Sequence, residues 1–182
     1  MNGRRTAVGL LALAALAVAA HVAMTWAIPY LAMVRLLLAS RPAELSAPYL
    51  PPMTDAAQRR VVLPSPDLLY ATCSVDLRER PMRIRAEPRT DHYWSIALYA
   101  SNTDNYFVVN DRQAAGRGVD LVVLGPGSGG TRPAGLPPGA TVVHAPSSRG
   151  MLLMRVLVGD YAAEREIVEA ARRTLRCEPL AP

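Results

Sequence analysis

The sequence predicts an α+β, mainly β fold: one N-terminal transmembrane helix, then an antiparallel β-sandwich-like domain with a C-terminal helix. Three observations predict it. An apolar run of 28 residues, 7–34, opens the chain. From Leu68 onward, short segments alternate apolar and polar residues and are separated by Pro, Gly, Asn and Asp, the pattern of half-buried strands joined by turns. Near the end, residues 161–176 carry the one amphipathic helical pattern.

The opening run has His21 as its only ionisable side chain. A bilayer core about 30 Å thick needs roughly 20 apolar residues, so the run is long enough to span. Trp26 and Tyr30 stand near its far end, where aromatic rings favour the interface. Pro29 is expected to kink the helix or mark its exit from the core. A cleaved signal peptide is the competing reading, with Arg4 and Arg5 as its basic start and Ala17-Val18-Ala19 as a small-residue cleavage site. The apolar sequence continues well past that site, which favours an uncleaved anchor over residues 1–40. His21 reads as a neutral imidazole bonded within the membrane, since one His without a charged companion makes no proton relay.

Charge argues against a nucleic-acid partner. The formal net charge is +5, but Arg4, Arg5 and Arg35 belong to the anchor region, and beyond it 17 Arg face 15 acids. That is a nearly neutral domain rather than a basic footprint. Residues 41–66 hold Pro42, Pro48, Pro51, Pro52, Pro64 and Pro66 and read as a semi-rigid linker. The domain then occupies residues 67–182.

Within it, Leu69, Ala71, Cys73, Val75 and Leu77 form the inner face of a first strand. Met82, Ile84 and Ala86 form that of a second, with Arg83 and Arg85 on a wet basic face. Trp94, Ile96 and Leu98 mark a third, residues 106–110 a short fourth and residues 119–124 a central fifth. Residues 111–118 read as a loop and 125–139, rich in Gly and Pro, as a mobile one. Residues 141–144 and 151–158 complete the strands. In the final helix Asp160 is the cap, and Ala163, Ile167, Val168, Ala171 and Leu175 are the stripe expected to pack on the sheet. Cys73 and Cys177 are the only cysteines. They read as one disulfide in an oxidising compartment, pinning the helix end to the first strand, or as two free buried thiols. With no C-x-x-C pair and three His in all, no metal site is expected.

Three stretches carry a family resemblance: Val62-Leu63-Pro64-Ser65-Pro66-Asp67-Leu68-Leu69-Tyr70, then Val75-Asp76-Leu77, then Asp91-His92-Tyr93-Trp94-Ser95-Ile96-Ala97-Leu98-Tyr99. They resemble the domain of unknown function 1254 family, with its P-x-x-D-x-x-Y opening, D-L strand end and aromatic strand before an Asn-containing turn, here Asn102 to Asn105. Asn110-Asp111-Arg112 and the tail Cys177-Glu178-Pro179 are similar to the short, membrane-anchored members. Ser65 stands where long members carry Asn. Long members also carry a companion domain of unknown function 1214, absent here, and the resemblance implies that a companion protein supplies it in trans.

No stretch carries a catalytic signature. Gly125-Pro126-Gly127-Ser128-Gly129-Gly130 satisfies G-x-G-x-x-G, but Pro133 and Gly135 just after it forbid the helix a dinucleotide site needs. His92 and His144 have no triad spacing. The most coherent polar group is Asp67, Tyr70, Asn102, Asn105, Tyr106 and Asp111, with His92 beside it, all at strand ends and turns, where ligand contacts gather and where Asn and Asp also serve the turns themselves. The expectation is a non-catalytic, periplasmic domain on the bacterial inner membrane, using no cofactor and binding a partner protein or envelope ligand. The alternative is an enzyme or enzyme subunit acting on a small envelope molecule.

Overall fold

The computed structural model describes residues 2–39, 47–55, 64–128, 136 and 138–180. Helix α1 (Asn2–Ala39) runs unbroken through Pro29. At 1.5 Å per residue it is about 57 Å long, and the stretch Gly3–Leu38 is long and apolar enough to cross a membrane. Its side chains are exposed along most of that length, but Met33 is buried and Leu36 and Leu37 beside it are partly buried. The element that α1 contacts is strand β7 (Arg149–Leu157).

The remaining strands are β1 (Leu68–Asp76), β2 (Met82–Ala86), β3 (Trp94–Ala100), β4 (Asn105–Asn110), β5 (Val119–Leu124), β6 (Thr141–His144) and β8 (Arg176–Pro179). They form two four-stranded sheets, ordered β1-β7-β3-β4 and β6-β5-β2-β8. The inward sets meet in one core that includes Leu69, Ile84, Ile96, Leu98, Leu152, Met154 and Val156. β3 is buried on both faces: Ser95 and Ala97 are as inaccessible as Ile96 and Leu98. On the face away from the core, Ser95 and Ala97 are small, and Tyr99 beyond them is partly exposed. The basic face of β2 is neutralised by its neighbours, Arg83 holding Asp120 of β5 through two hydrogen bonds and Arg85 pairing with Glu178 of β8.

Four local expectations are corrected. β6 lies parallel to β5, so that sheet is mixed. A hairpin cannot join parallel neighbours, and residues 125–140 supply the long crossover they need. The first turn of the expected loop 111–118 is a short helix, α2 (Asp111–Ala114). It is started by a capping box in which Asn110 and Gln113 bond each other's backbone N–H. The last helix, α3 (Tyr161–Arg172), ends four residues early. Beyond it Leu175 and Cys177 are buried while Arg176 and Glu178 are exposed, a period of two that makes β8. In the expected stripe of α3, Ala163 and Ile167 face solvent, and the buried set is Val168, Ala171 and Arg172 with Leu175 beyond. Asp160 caps the helix as expected, accepting from the N–H groups of Ala162 and Ala163.

Cys73 and Cys177 form a disulfide. Because Cys177 lies in β8, the bond joins the two sheets. Of the expected linker, residues 47–55 lie against the domain: Tyr49 and Thr72 exchange backbone hydrogen bonds of 2.8 and 2.9 Å, and Leu50 and Met53 touch the core. Residues 129–135, the middle of the Gly- and Pro-rich segment, lie outside the described residues.

Candidate functional site

Strand direction sorts the polar candidates. β7 runs antiparallel to β1 and β3, and β4 antiparallel to β3. Leu68 faces Leu157, Trp94 faces Val156 and Asn110 faces Ser95, so Asp67, His92 and Asp111 share one end of the sheet. Tyr99 faces Asn105 at the opposite end, where Asn102 also lies. Seven strand residues separate the two ends by about 20 Å. The structure therefore places Asp67, Tyr70, His92 and Asp111 towards one end of the sheet, with Asp67 and Asp111 beside its opposite edge strands, and holds Asn102 and Asn105 at the other end.

Each candidate has local work. The Tyr70 hydroxyl accepts the Ser65 N–H at 2.9 Å, and the Asp67 carbonyl accepts from Val158. His92 Nε2 lies 3.8 Å from Glu164 of α3, whose carboxylate accepts the Gly159 N–H at 2.9 Å. This pair ties the approach to β3 to the first turn of α3. Asp111 is the first residue of α2, and its Oδ1 is buried with no hydrogen-bond partner among the described residues. At the far end Asn102 bonds both the side chain and the N–H of Asp104, shaping a turn in which Thr103 takes a φ of 68°. Asn105 is exposed, and Tyr106 packs on the core, where burial pushes its phenol up to about 12.

In α1, His21, Trp26 and Tyr30 are all exposed, and the His21 carbonyl accepts the Thr25 hydroxyl at 2.8 Å. Ser128 lies 3.5 Å from His144 Nδ1, but its hydroxyl donates to the Gly125 carbonyl at 2.6 Å, so the imidazole does not activate it. Among the described residues no group of three or more His, Cys, Asp or Glu is placed to hold a metal ion.

The strongest polar constellation is one that residue patterns had not singled out. Arg172 is a buried arginine, its side chain 5% exposed. It grips Glu169 through two bonds of 2.6 and 2.9 Å, and donates to the carbonyls of Tyr70 in β1 and Pro51 in the segment before the domain. Tyr161 adds its hydroxyl to Glu169 at 2.9 Å. Burial alone raises a carboxyl, but the bonds from Arg172 and Tyr161 outweigh it, and Glu169 titrates below its ordinary range. The constellation fastens three chain segments together, and Arg172 and Tyr161 take three of the acceptor positions of Glu169. A shallow hollow of about 490 Å³ lies on the far side of α3, lined by Arg85, Arg89, Thr174, Arg176 and others. Its charges are also engaged: Arg85 with Glu178, Arg89 with Glu87, and Arg176 with backbone carbonyls. These arrangements suit holding and docking better than proton transfer.

The fold has solved counterparts. The VPA0106 protein from Vibrio parahaemolyticus is similar over 64% of this chain, with a TM-score of 0.55 at 14% identity. An uncharacterised protein from Burkholderia cenocepacia matches over 83% of the chain at 17% identity, with a TM-score of 0.49. This chain spans 28% and 40% of the lengths of those two proteins. No curated protein matches. The model of a family described as protein of unknown function (DUF1254) matches residues 46–179, nearly the whole of the chain outside α1. The chain belongs to the DUF1254 family.

Proposed function

We propose that this chain is a non-catalytic module of the bacterial envelope, anchored in the inner membrane by α1 with its β domain in the periplasm, where it binds a companion protein carrying the DUF1214 domain. One observation carries the reading: a membrane-length helix docked directly onto a sandwich whose two sheets are joined by a disulfide. Disulfides persist in oxidising compartments, which favours an N-terminus inside and a domain outside the cytoplasm. The polar candidates support binding over catalysis, because they divide between two sheet ends and serve turns and caps.

Two measurements test this. Alkaline extraction should leave the protein in the membrane pellet, with a phosphatase reporter fused after Pro182 active and a cytosolic fluorescent reporter dark. Affinity purification of detergent-solubilised membranes, with quantitative mass spectrometry, should recover a DUF1214 protein in near-stoichiometric amount. A domain released as a soluble species beginning near residue 20, or a purified chain with no such companion, contradicts the reading.

A further inference from the structure

His21 is the polar side chain at the centre of the anchor. It lies 14 residues from Ala7 and 13 from Val34, about 20 Å from either end of the apolar run. With α1 spanning as proposed, it sits near the middle of the bilayer core. Residues 3–28 of α1 are exposed, His21 with them. Among the described residues its imidazole has no hydrogen-bond partner, and the Thr25 hydroxyl one turn on donates to the His21 carbonyl. Hydrocarbon holds no water, and a polar group without a partner there is costly. A side chain of this kind at this depth calls for a second helix.

The face that carries His21 is otherwise apolar and free of the domain. At about 100° per residue, Ala14, Ala17, Met24 and Ile28 share it. The buried and half-buried positions of α1 are Pro29, Met33, Leu36 and Leu37, a separate stripe centred about 100° round from His21. Ala14 and Ala17 are small enough for two helix backbones to approach closely.

We propose that α1 pairs with the α1 of a second copy of this chain, one His21 donating its N–H to the bare ring nitrogen of the other. The proposal rests on the reading of α1 as an uncleaved anchor. Three features select a second copy. A neutral imidazole carries one donor and one acceptor, so it is its own complement, as an interface made of the same patch on both subunits requires. Copies of one chain insert with the same topology, which puts both His21 side chains at one depth. Between Arg5 and Arg35 there is no Asp, Glu, Lys or Arg, so two parallel copies meet without like-charge repulsion and nothing at that depth selects a charged partner.

The test uses the full-length chain in its native membranes, with a photo-crosslinking amino acid at Ala17 or Ile28 on the His21 face, or at Ala12 on the opposite one. The expected result is a product made of two copies of this chain from the first two positions and none from Ala12. Its yield should fall about threefold or more with His21→Leu, as loss of one interhelical hydrogen bond implies. It should survive His21→Asn, which keeps a donor and an acceptor. Both variants should stay in the alkali-resistant pellet, with β domains that melt like the parent. No such product, equal yields from opposite faces, a yield indifferent to His21→Leu, or a product joining Ala17 to a different protein overturns the pairing and leaves the anchor reading standing. A chain that leaves the membrane on alkaline extraction overturns both.

Discussion

Arg172 decides how the helix, the first strand and the preceding segment are held together. Removing a buried partner leaves its counter-charge uncompensated, and such losses run to about 3–5 kcal/mol. Arg172→Met should therefore destabilise the detergent-solubilised protein by about that amount, read as a lower denaturant midpoint. Arg172→Lys should recover less than half of it, since an ammonium cannot span Glu169, Tyr70 and Pro51 as the planar fork does. Adding Glu169→Gln to Arg172→Met should restore part of the loss, the sign of a coupled pair. The same carboxyl sets an acid dependence. Its folded pKa lies below the unfolded value near 4.5, so its contribution is complete above that value and is lost as pH falls through the folded one. Asp120, lowered chiefly by its hydrogen bonds with Arg83, acts in the same direction. Stability should thus fall below about pH 4.5, and less so in Glu169→Gln. Tyr106 works oppositely. Burial raises its phenol from 10 to about 12, so its contribution is intact below pH 10 and disappears between pH 10 and 12. Ultraviolet difference absorbance should show Tyr106 ionising late, together with Tyr161, which burial and its hydrogen bond to Glu169 also raise, and Tyr106→Phe should reduce the amplitude of that late step.

At the scale of the elements, two features join pieces that are distant in sequence. The Cys73–Cys177 bond closes a separation of 104 residues, for which the chain-entropy model gives a contribution of about 4–5 kcal/mol. Cys177→Ser should lower the unfolding free energy by roughly that amount and loosen β8 first, seen as faster hydrogen exchange in residues 176–179. Gly150 marks the other close approach: a Cβ there would run into the Tyr99 carbonyl of β3. Gly150→Ala should cost on the order of 3 kcal/mol in the same denaturation assay, because the neighbour is backbone and cannot move aside. The strand cores were legible in sequence because alternation reports burial directly, as at Leu69 to Leu77. What stayed hidden depended on partners outside each segment. Val168, Ala171 and Leu175 were legible in the expected stripe of α3, but Arg172 completes the buried set, and its charge hid it because the Glu169, Tyr70 and Pro51 groups that satisfy it come from outside the apolar pattern. The direction of β6 depended on where its crossover lands. The expected helix runs four residues past the end of α3 because Arg172, Arg173 and Arg176 suit the negative end of a helix dipole, and β8 beyond it, only four residues long, is too short for alternation to declare it. The polar candidates looked like one group because turn residues cluster in sequence near every strand end; only the register shows that Asn105 and Asp67 belong to opposite ends.

At the scale of the whole molecule the question is how the domain stands on its anchor. From Arg5 to Arg35 is 30 residues, or about 45 Å of helix, which matches the roughly 40–45 Å of a bilayer with its headgroups. With α1 spanning as proposed, the two arginine sites reach the two headgroup layers, and Trp26 and Tyr30 sit at the far interface. Met33 then lies at headgroup level, and it is there that α1 is buried against β7. Residues 47–55 lie along the domain surface, with Tyr49 on β1 and the Pro51 carbonyl on Arg172. A contact of α1 with β7 couples the direction of the helix to that of the sheet. Met33→Asp places a charge in the joint and should release it. In nanodiscs, a spin-label pair with one label on α1 and one beside β4 should give a narrow distance distribution for the parent protein. The variant should give a broad one, with the thermal melt of the β domain unchanged. A distribution that is equally broad in both would mean that α1 is a flexible tether.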